Sequence, residues 1–351
     1  MAYRRSNGKG RKKIEPAELV MNYIVPGVAP GTTNEFYIDL SQSASLSNRR
    51  FYRQGINWAV QSMKLLSPIT SGIIVAQKVP TTWVMSNAWE KAFRSWQEMN
   101  QEALEQNESI RPRFLDFKIF ADAQHHFDGY AQNLLPYAWS QLPGAAVTLQ
   151  QANPGEWESS KISVPTSGAT GNATDFEMIA VGPSYPGAGA STLNAVSLIE
   201  GYAASRGLPN VLDPNAPSDA DDVGPTGTPE NWIGALKNEG TDQDGDVLDR
   251  MVGLNAENNI APYPFENDGV NVDTMYPGGA NQLTGLMVHD TEYITGTTVG
   301  GRTMIDGGMF PCGLLKLVIQ NTSDVSGDMN LQINLVPGHH RGYLCEPMTE
   351  M

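Results

Sequence analysis

Six basic side chains are crowded into the first thirteen residues, with no acidic residue among them. Such a segment can neutralise nucleic-acid phosphates and release their counterions, with little reading of base sequence. A second basic group in LSNRRFYRQG either faces the same partner or forms a turn whose arginines cap carbonyls and pair with acids. The candidate nucleic-acid-binding residues are Arg4, Arg5, Lys9, Arg11, Lys12, Lys13, Arg49, Arg50 and Arg53.

An acidic stretch, TDQDGDVLD at 241–249, is the strongest candidate for a metal site. Asp242, Asp244 and Asp246 have the spacing that opens a calcium-binding loop. The remainder departs from an EF-hand, because Val247 stands where Gly is required and Gly253 where a bidentate Glu is required. Two interpretations stay open: a structural Ca²⁺ site of irregular or intersubunit type, and a solvated acidic loop.

No catalytic constellation is visible in the sequence. The 5 histidines lack HExxH spacing and do not lie near a cysteine with zinc-finger spacing. GxSxG, Walker A and strand-flanked GxGxxG motifs are absent as well. Cys312 and Cys345 are the only cysteines, too few for a disulfide framework or a four-cysteine zinc site. We therefore predict no enzymatic activity and, apart from the Ca²⁺ alternative, no cofactor.

Charge is distributed unevenly along the 351 residues. The chain carries 38 acidic and 23 basic residues, a net charge of −15, yet its beginning is strongly basic and residues 151–290 hold most of the negative charge. This division predicts a basic side toward a polyanionic partner and an acidic side toward solvent. No apolar run is long enough for a transmembrane helix, and no apolar stretch follows the basic start as in a secretory signal.

Short alternating segments dominate the body of the chain, so we predict a mainly β fold: a single eight-stranded jelly-roll sandwich with helices in connecting loops and a large surface insertion. A helix is expected at about 87–106, with Asn87 as its N-cap. VGGRT at 299–303 and DGG at 306–308 are interpreted as turns. Strands are predicted at 35–41, 56–66, 72–79, 114–120, 145–150, 161–165, 176–182, 314–321 and 329–337.

Four regions follow from these patterns. Residues 1–17 form a flexible basic arm, because they have almost nothing to bury. Residues 18–182 carry the first strands of the jelly roll together with the helix. Residues 183–285 form an acidic, Gly/Pro-rich insertion, and residues 286–351 contain the closing strands and the C-terminus.

Several phrases of the sequence resemble the capsid proteins of small circular Rep-encoding single-stranded DNA viruses. These phrases are SQSASLSNRRFYRQGINWAV (41–60), VPTTWVMSNAWEKAFRSWQ (79–97), FLDFKIFADAQH (114–125), FPCGLLKLVIQN (310–321) and INLVPGHHRGYL (333–344). The likeness extends from about residue 35 to the C-terminus. It implies an eight-stranded jelly roll that self-assembles into an icosahedral shell, with the basic arm pointing inward to the genome. The acidic insertion is then the probable exterior projection.

The resemblance also implies the partners and the location. The partners expected are other copies of the chain, genomic nucleic acid in the form of single-stranded DNA, and an unknown host receptor, with no membrane. The location expected is the virion, and the nucleus or cytoplasm of the host cell during assembly. Two other functions stay open: a lectin-like, carbohydrate-binding β-sandwich that stacks sugars on Trp157 or Tyr185, and a hydrolase that uses Asp242 and Asp244.

Overall fold

Two antiparallel sheets build the framework of the protein. The computed structural model describes residues 16–105, 116–140, 148–165, 173–207, 285–297 and 300–350. Across the first sheet the order is β1 (Val20–Val25), β13 (Met329–Leu335), β3 (Ile56–Leu66) and β11 (Arg302–Phe310), and the short β16 (Cys345–Pro347) also pairs with β3. Across the second sheet it is β10 (Met287–Thr295), β4 (Ser71–Lys78), β12 (Leu314–Asn321) and β2 (Thr33–Asp39).

The inner faces of these two sheets share one hydrophobic core. Ile74 of β4 and Leu317 of β12 lie in the same cluster as Met63 of β3 and Ile333 of β13. Their positions follow from strand geometry, because alternate side chains of a strand point to opposite faces. Full burial of a side chain of this size stabilises the fold by about 1.5–3 kcal/mol.

A bulge in β3 changes which residues face this core. Val60 pairs with Leu335 one residue out of step with the rest of the β3–β13 ladder, so Gln61 is the extra residue. Opposite it, β11 passes very close, since a Cβ on Gly307 would lie 2.1 Å from the Gln61 carbonyl oxygen. The glycines of 306–308 thus lie inside a continuous strand, and the prediction of a turn there is wrong.

The two ends of this sandwich differ in how strands are connected. At one end, here called the turn end, short connections join β1 to β2, β3 to β4, β10 to β11 and β12 to β13. At the opposite end, here called the helical end, α1 (Leu40–Asn48) joins β2 to β3, and the 3-10 turn Pro311–Gly313 joins β11 to β12. The helical end also carries the connection from β4 to β10, which runs from residue 79 to residue 286.

This long connection has a hydrophobic core of its own. Trp89, Trp96, Phe117, Phe176 and Tyr202 belong to one buried cluster. A three-stranded sheet and a separate hairpin lie within it, and the 3-10 turn Tyr130–Gln132 follows its second helix. Its helices and strands are α2 (Trp83–Glu105), α3 (Ala123–Asp128), β5 (Tyr137–Ser140), β6 (Thr148–Gln151), β7 (Ile162–Pro165), β8 (Ala173–Ile179), β9 (Asn194–Ser197) and α4 (Leu198–Gly207).

The segments predicted at 161–165 and 176–182 illustrate the main difference from the sequence analysis. They correspond to β7 and β8, which pair with one another, and β8 also pairs with β9. Neither strand pairs with either large sheet. The long connection between the large sheets therefore begins after Lys78, whereas the sequence analysis placed the start of the insertion at residue 183. Most of the stretch 183–285 lies outside the described residues.

Two further predictions are corrected within this connection. The helix begins at Trp83, and the Met85 N–H donates to Thr82 Oγ1 at 3.4 Å, so Asn87 is not its N-cap. In the predicted strand at 114–120, Phe120 makes only a single bridge, to Ile179, among the described residues. The last elements of the chain are the short pair β14 (Pro337–Gly338) and β15 (Gly342–Tyr343) and the 3-10 turn Met348–Glu350.

Candidate nucleic-acid interface

Three arginines predicted from the sequence lie together at the helical end. Asp39 caps α1 by accepting from the Ser41 and Gln42 backbone N–H groups, and Arg49 ends the helix with a left-handed φ of 55°. A residue in this conformation turns the chain away from the helix axis. The side chains of Arg49, Arg50 and Arg53 are all exposed.

The arm joins the folded protein beside these arginines. Arg50 Nη1 donates to the Pro16 carbonyl at 3.5 Å, and the Glu18 N–H donates to Asn48 Oδ1 at 2.9 Å. The Tyr343 hydroxyl donates to the Glu18 carbonyl at 2.7 Å. Pro16, the first residue that the structure describes, therefore lies beside these arginines. The predicted residues of the arm lie outside the described residues: Arg4, Arg5, Lys9, Arg11, Lys12 and Lys13.

A fourth arginine, Arg341, lies beside these three, although it is close to the other end of the sequence. Its Nη1 donates to the Phe51 carbonyl, and its own carbonyl accepts from the Tyr52 hydroxyl at 3.0 Å. Its side chain is exposed. The His340 ring lies 6.3 Å from that of Tyr52. Sequence reasoning missed this arginine, although the phrase HHR gave a local basic signal.

An aromatic side chain interrupts the basic residues. Phe51 is 46 % exposed and packs at 6.2 Å, measured between ring centroids, against the half-buried Trp157. The ammonium of Lys118 lies 4.5 Å from the Trp157 ring and 5.8 Å from the Phe51 ring. Lys118 also forms an ion pair with Asp116, whose pKa burial raises. We call the exposed set Arg49, Arg50, Phe51, Arg53 and Arg341 the arginine surface.

A buried carboxylate supports this surface from below. Asp39 Oδ2 accepts from Gln54 Nε2 and from Trp157 Nε1, each at 3.0 Å. These two bonds and the two backbone bonds at the start of α1 favour the ionised carboxylate. Burial outweighs them and raises the pKa of Asp39 to about 6. Asp39 thus accepts hydrogen bonds both from the start of α1 and from the Trp157 indole that packs against Phe51.

A cleft of about 700 Å³ opens beside Arg49. It lies between the end of α1, the start of β1 and the hairpin β5–β6. Its lining is mostly polar: Glu18, Asn22, Ser47, Arg49, Gln150, Gln151 and Asn153 are among the residues that form it. This cleft extends the arginine surface toward the first strand.

Buried charges lie where the second sheet meets the long connection. Lys316 Nζ contacts Glu35 Oε2 at 2.7 Å and Asp122 Oδ2 at 3.0 Å, and the Tyr37 hydroxyl donates to Asp122 Oδ1 at 2.8 Å. The His125 ring stacks on Tyr37 with a centroid distance of 4.5 Å. Burial lowers the pKa of His125 to about 3, so its imidazole stays neutral. His125 belongs to α3, and its contacts show that it packs in the interior as a neutral side chain.

The predicted calcium ligands Asp242, Asp244 and Asp246 lie outside the described residues. Across the part of the chain that the structure describes, no group of three or more His, Cys, Asp or Glu side chains could hold a metal ion. Within the same part, no helix is both long and apolar enough to cross a membrane.

The remaining chemically notable side chains are packed. Burial raises the pKa of Cys345 to about 12 and that of Cys312 further, which disfavours the reactive thiolate. Both cysteines are free thiols. Trp157, a candidate for sugar stacking, has its indole N–H bonded to Asp39. Tyr185, the other candidate, packs edge-on against Phe176 at 5.4 Å.

Comparison of the chain with protein-family models, with curated proteins and with solved structures finds no match. Function is therefore inferred from two features of the molecule itself. One is the order in which the eight strands β1 to β4 and β10 to β13 pair, and the other is the arginine surface beside Pro16.

Proposed function

We propose that the eight strands β1 to β4 and β10 to β13 form a single jelly roll. In chain order, the first pairs with the eighth, the second with the seventh, the third with the sixth and the fourth with the fifth. This is the pairing of an antiparallel ribbon that has been folded over into two sheets. The jelly roll is common among viral capsid and lectin domains.

We further propose that the protein is a viral coat protein that assembles into an icosahedral shell and packages a genome of single-stranded DNA. The observation that carries this proposal is the meeting of the arm with the arginine surface: Arg50 contacts Pro16, and Arg49, Arg53 and Arg341 are exposed nearby. Arginine binds phosphate in a planar, bidentate manner, so this set suits a polyanion. The protein would then reside in the virion and, during assembly, in the nucleus or cytoplasm of the host cell.

Electron microscopy of the purified full-length chain tests assembly directly. We expect uniform closed particles in negative stain, and only monomers at every salt concentration and pH would contradict the proposal. Subunit contacts in such particles must exceed about 1,000 Å² each to be stable.

The nucleic-acid content of those particles tests the role of the basic residues. Deletion of residues 2–13 should lower the ratio of absorbance at 260 nm to that at 280 nm more than it lowers the yield of particles. The combined change Arg49→Gln, Arg50→Gln and Arg53→Gln should lower the ratio further. An unchanged ratio in both variants would show that packaging uses a different surface.

Carbohydrate binding is supported at the level of the fold alone. Jelly rolls occur in lectins, but Trp157 lies behind Phe51 and donates its N–H to Asp39. A glycan array that gives strong hits with a protein that never forms particles would favour this second function.

A further inference from the structure

We propose that Phe51 is a stacking platform for one base of a single-stranded nucleic acid, with the surrounding arginines binding the phosphates on either side. This inference rests on the proposed packaging function and adds to it the strandedness of the ligand. Stacking on an aromatic ring requires an unpaired base, because a duplex already uses both faces of its bases.

The backbone of Phe51 is held in place before any ligand arrives. Its carbonyl accepts from Arg341 Nη1, and the next N–H, that of Tyr52, donates to Ser45 Oγ at 2.9 Å. The Tyr52 ring is fully buried and lies 5.9 Å from Trp58 of β3. A platform on such a fixed backbone loses little conformational freedom on binding.

The ring is also supported by its neighbours. Trp157 lies against it at an interplanar angle of 51°, and the indole is tied to the buried Asp39. The ammonium of Lys118 lies near both rings. With this support, 46 % of Phe51 stays exposed. A fixed aromatic ring among cationic side chains has the composition of a surface on which bases of a single strand stack.

The positive charge around Phe51 indicates a ligand with phosphate groups. Arg50 and Arg53 flank Phe51 in the sequence, and Arg341 joins them through the fold. A guanidinium has five N–H donors, so the bond from Arg341 to the Phe51 carbonyl leaves donors for a phosphate. Alternation of cationic and aromatic groups is how proteins bind single strands without reading their sequence.

Fluorescence anisotropy with the full-length chain, purified free of nucleic acid, tests this platform. The probes are a labelled 20-nucleotide oligo-dT strand and a labelled 20-base-pair duplex. Phe51→Leu should weaken binding of the single strand roughly 5- to 150-fold, the range for loss of one base–aromatic stack. Duplex binding and the slope of affinity against salt should stay unchanged, because no charge is lost.

Matched variants separate stacking from damage to the fold. Phe51→Trp should retain single-strand affinity, since it keeps an aromatic face. Phe127→Leu removes a ring of similar exposure, 43 %, on α3, and it should leave affinity unchanged. Circular dichroism melting of all three variants shows whether each one is folded.

The outcomes distinguish the two proposals. If the unaltered protein binds the single strand and folded Phe51→Leu binds it equally well, the platform is wrong and the packaging function stands. Equal weakening of single-strand and duplex binding by Phe51→Leu would also overturn the platform. If the unaltered protein binds neither probe, both proposals fail.

Discussion

At the turn end of the sandwich, backbone groups and uncharged side chains join neighbouring connections, whereas at the helical end buried charged side chains do so. The buried Asn321 amide at the turn end, for example, donates to the Val28 carbonyl at 2.8 Å. The Ser67 N–H donates to the Gly301 carbonyl at 2.9 Å, and the Gly296 N–H donates to the Thr70 carbonyl at 2.7 Å. At the helical end, Asp39 and Lys316 are almost fully buried and satisfy their charges with specific partners. This polar network lies beneath Arg49, Arg50 and Arg53 and leaves them exposed on a rigid base, which is what a binding surface needs.

The largest effect is expected from breaking the charge network of the helical end. Lys316→Met leaves Asp122 buried without its cation, so we expect the free energy of unfolding to fall by about 3–5 kcal/mol. Lys64→Met is the matched control, because Lys64 lies on the outward side of β3, and it should change stability by about 0.5 kcal/mol or less. Urea titration measures both. If the free energy of unfolding fell by a similar amount in both variants, the buried lysine would contribute no more to stability than the surface lysine.

The next effect is a dependence on pH. The pKa of Asp39 rises from 3.8 to about 6 on folding, so the folded protein holds this proton where the unfolded chain has lost it. The contribution of Asp39 to the free energy of unfolding is at its maximum below about pH 4, and it falls by about 3 kcal/mol as the pH rises through 6. Asp39→Asn should remove this decline from urea titrations at pH 4 to 7. Parallel curves for the variant and the unaltered protein would show that Asp39 is not its source.

The smallest effect is expected at the turn end, from two adjacent glycines with left-handed backbones. A Cβ on Gly301 would lie 2.3 Å from the Ser67 carbonyl oxygen, whereas a Cβ on Gly300 meets nothing within 4 Å. Gly300→Ala should cost about 1 kcal/mol from backbone strain alone, and Gly301→Ala about 2 kcal/mol. Thermal unfolding measures the difference. Equal losses would mean that the β3–β4 connection moves freely to admit the methyl group.

Sequence patterns predicted some of the strands that bury apolar side chains but missed β1, which buries one face. The predictions 56–66 and 314–321 match β3 and β12, because β3 places alternate apolar residues in the core and β12 is an apolar run that is largely buried on both faces. β10 was missed, since Ile294 is its one buried residue and its sequence does not alternate. The pairing partners could not be predicted, because they lie on opposite sides of a very long connection.

The candidate site was predictable only where its residues are consecutive. Arg49, Arg50 and Arg53 form one phrase, which marked them as a basic group. Arg341 bonds to Phe51 across a separation of 290 residues, and only the fold brings the two together. The exposure of Phe51 was equally hidden, since an aromatic residue beside a buried tyrosine more often indicates core.

Each ladder of the two large sheets joins a strand from before residue 79 to a strand from after residue 286. While the ribosome makes the intervening connection, which takes roughly ten seconds or more at about 5–20 residues per second, β1 to β4 have no partner strand. The sandwich therefore forms after most of the chain has been synthesised, and its pairings have high contact order, which slows folding. Assembly into the proposed shell would therefore have to wait until the strands after residue 286 have been made and the two sheets have closed.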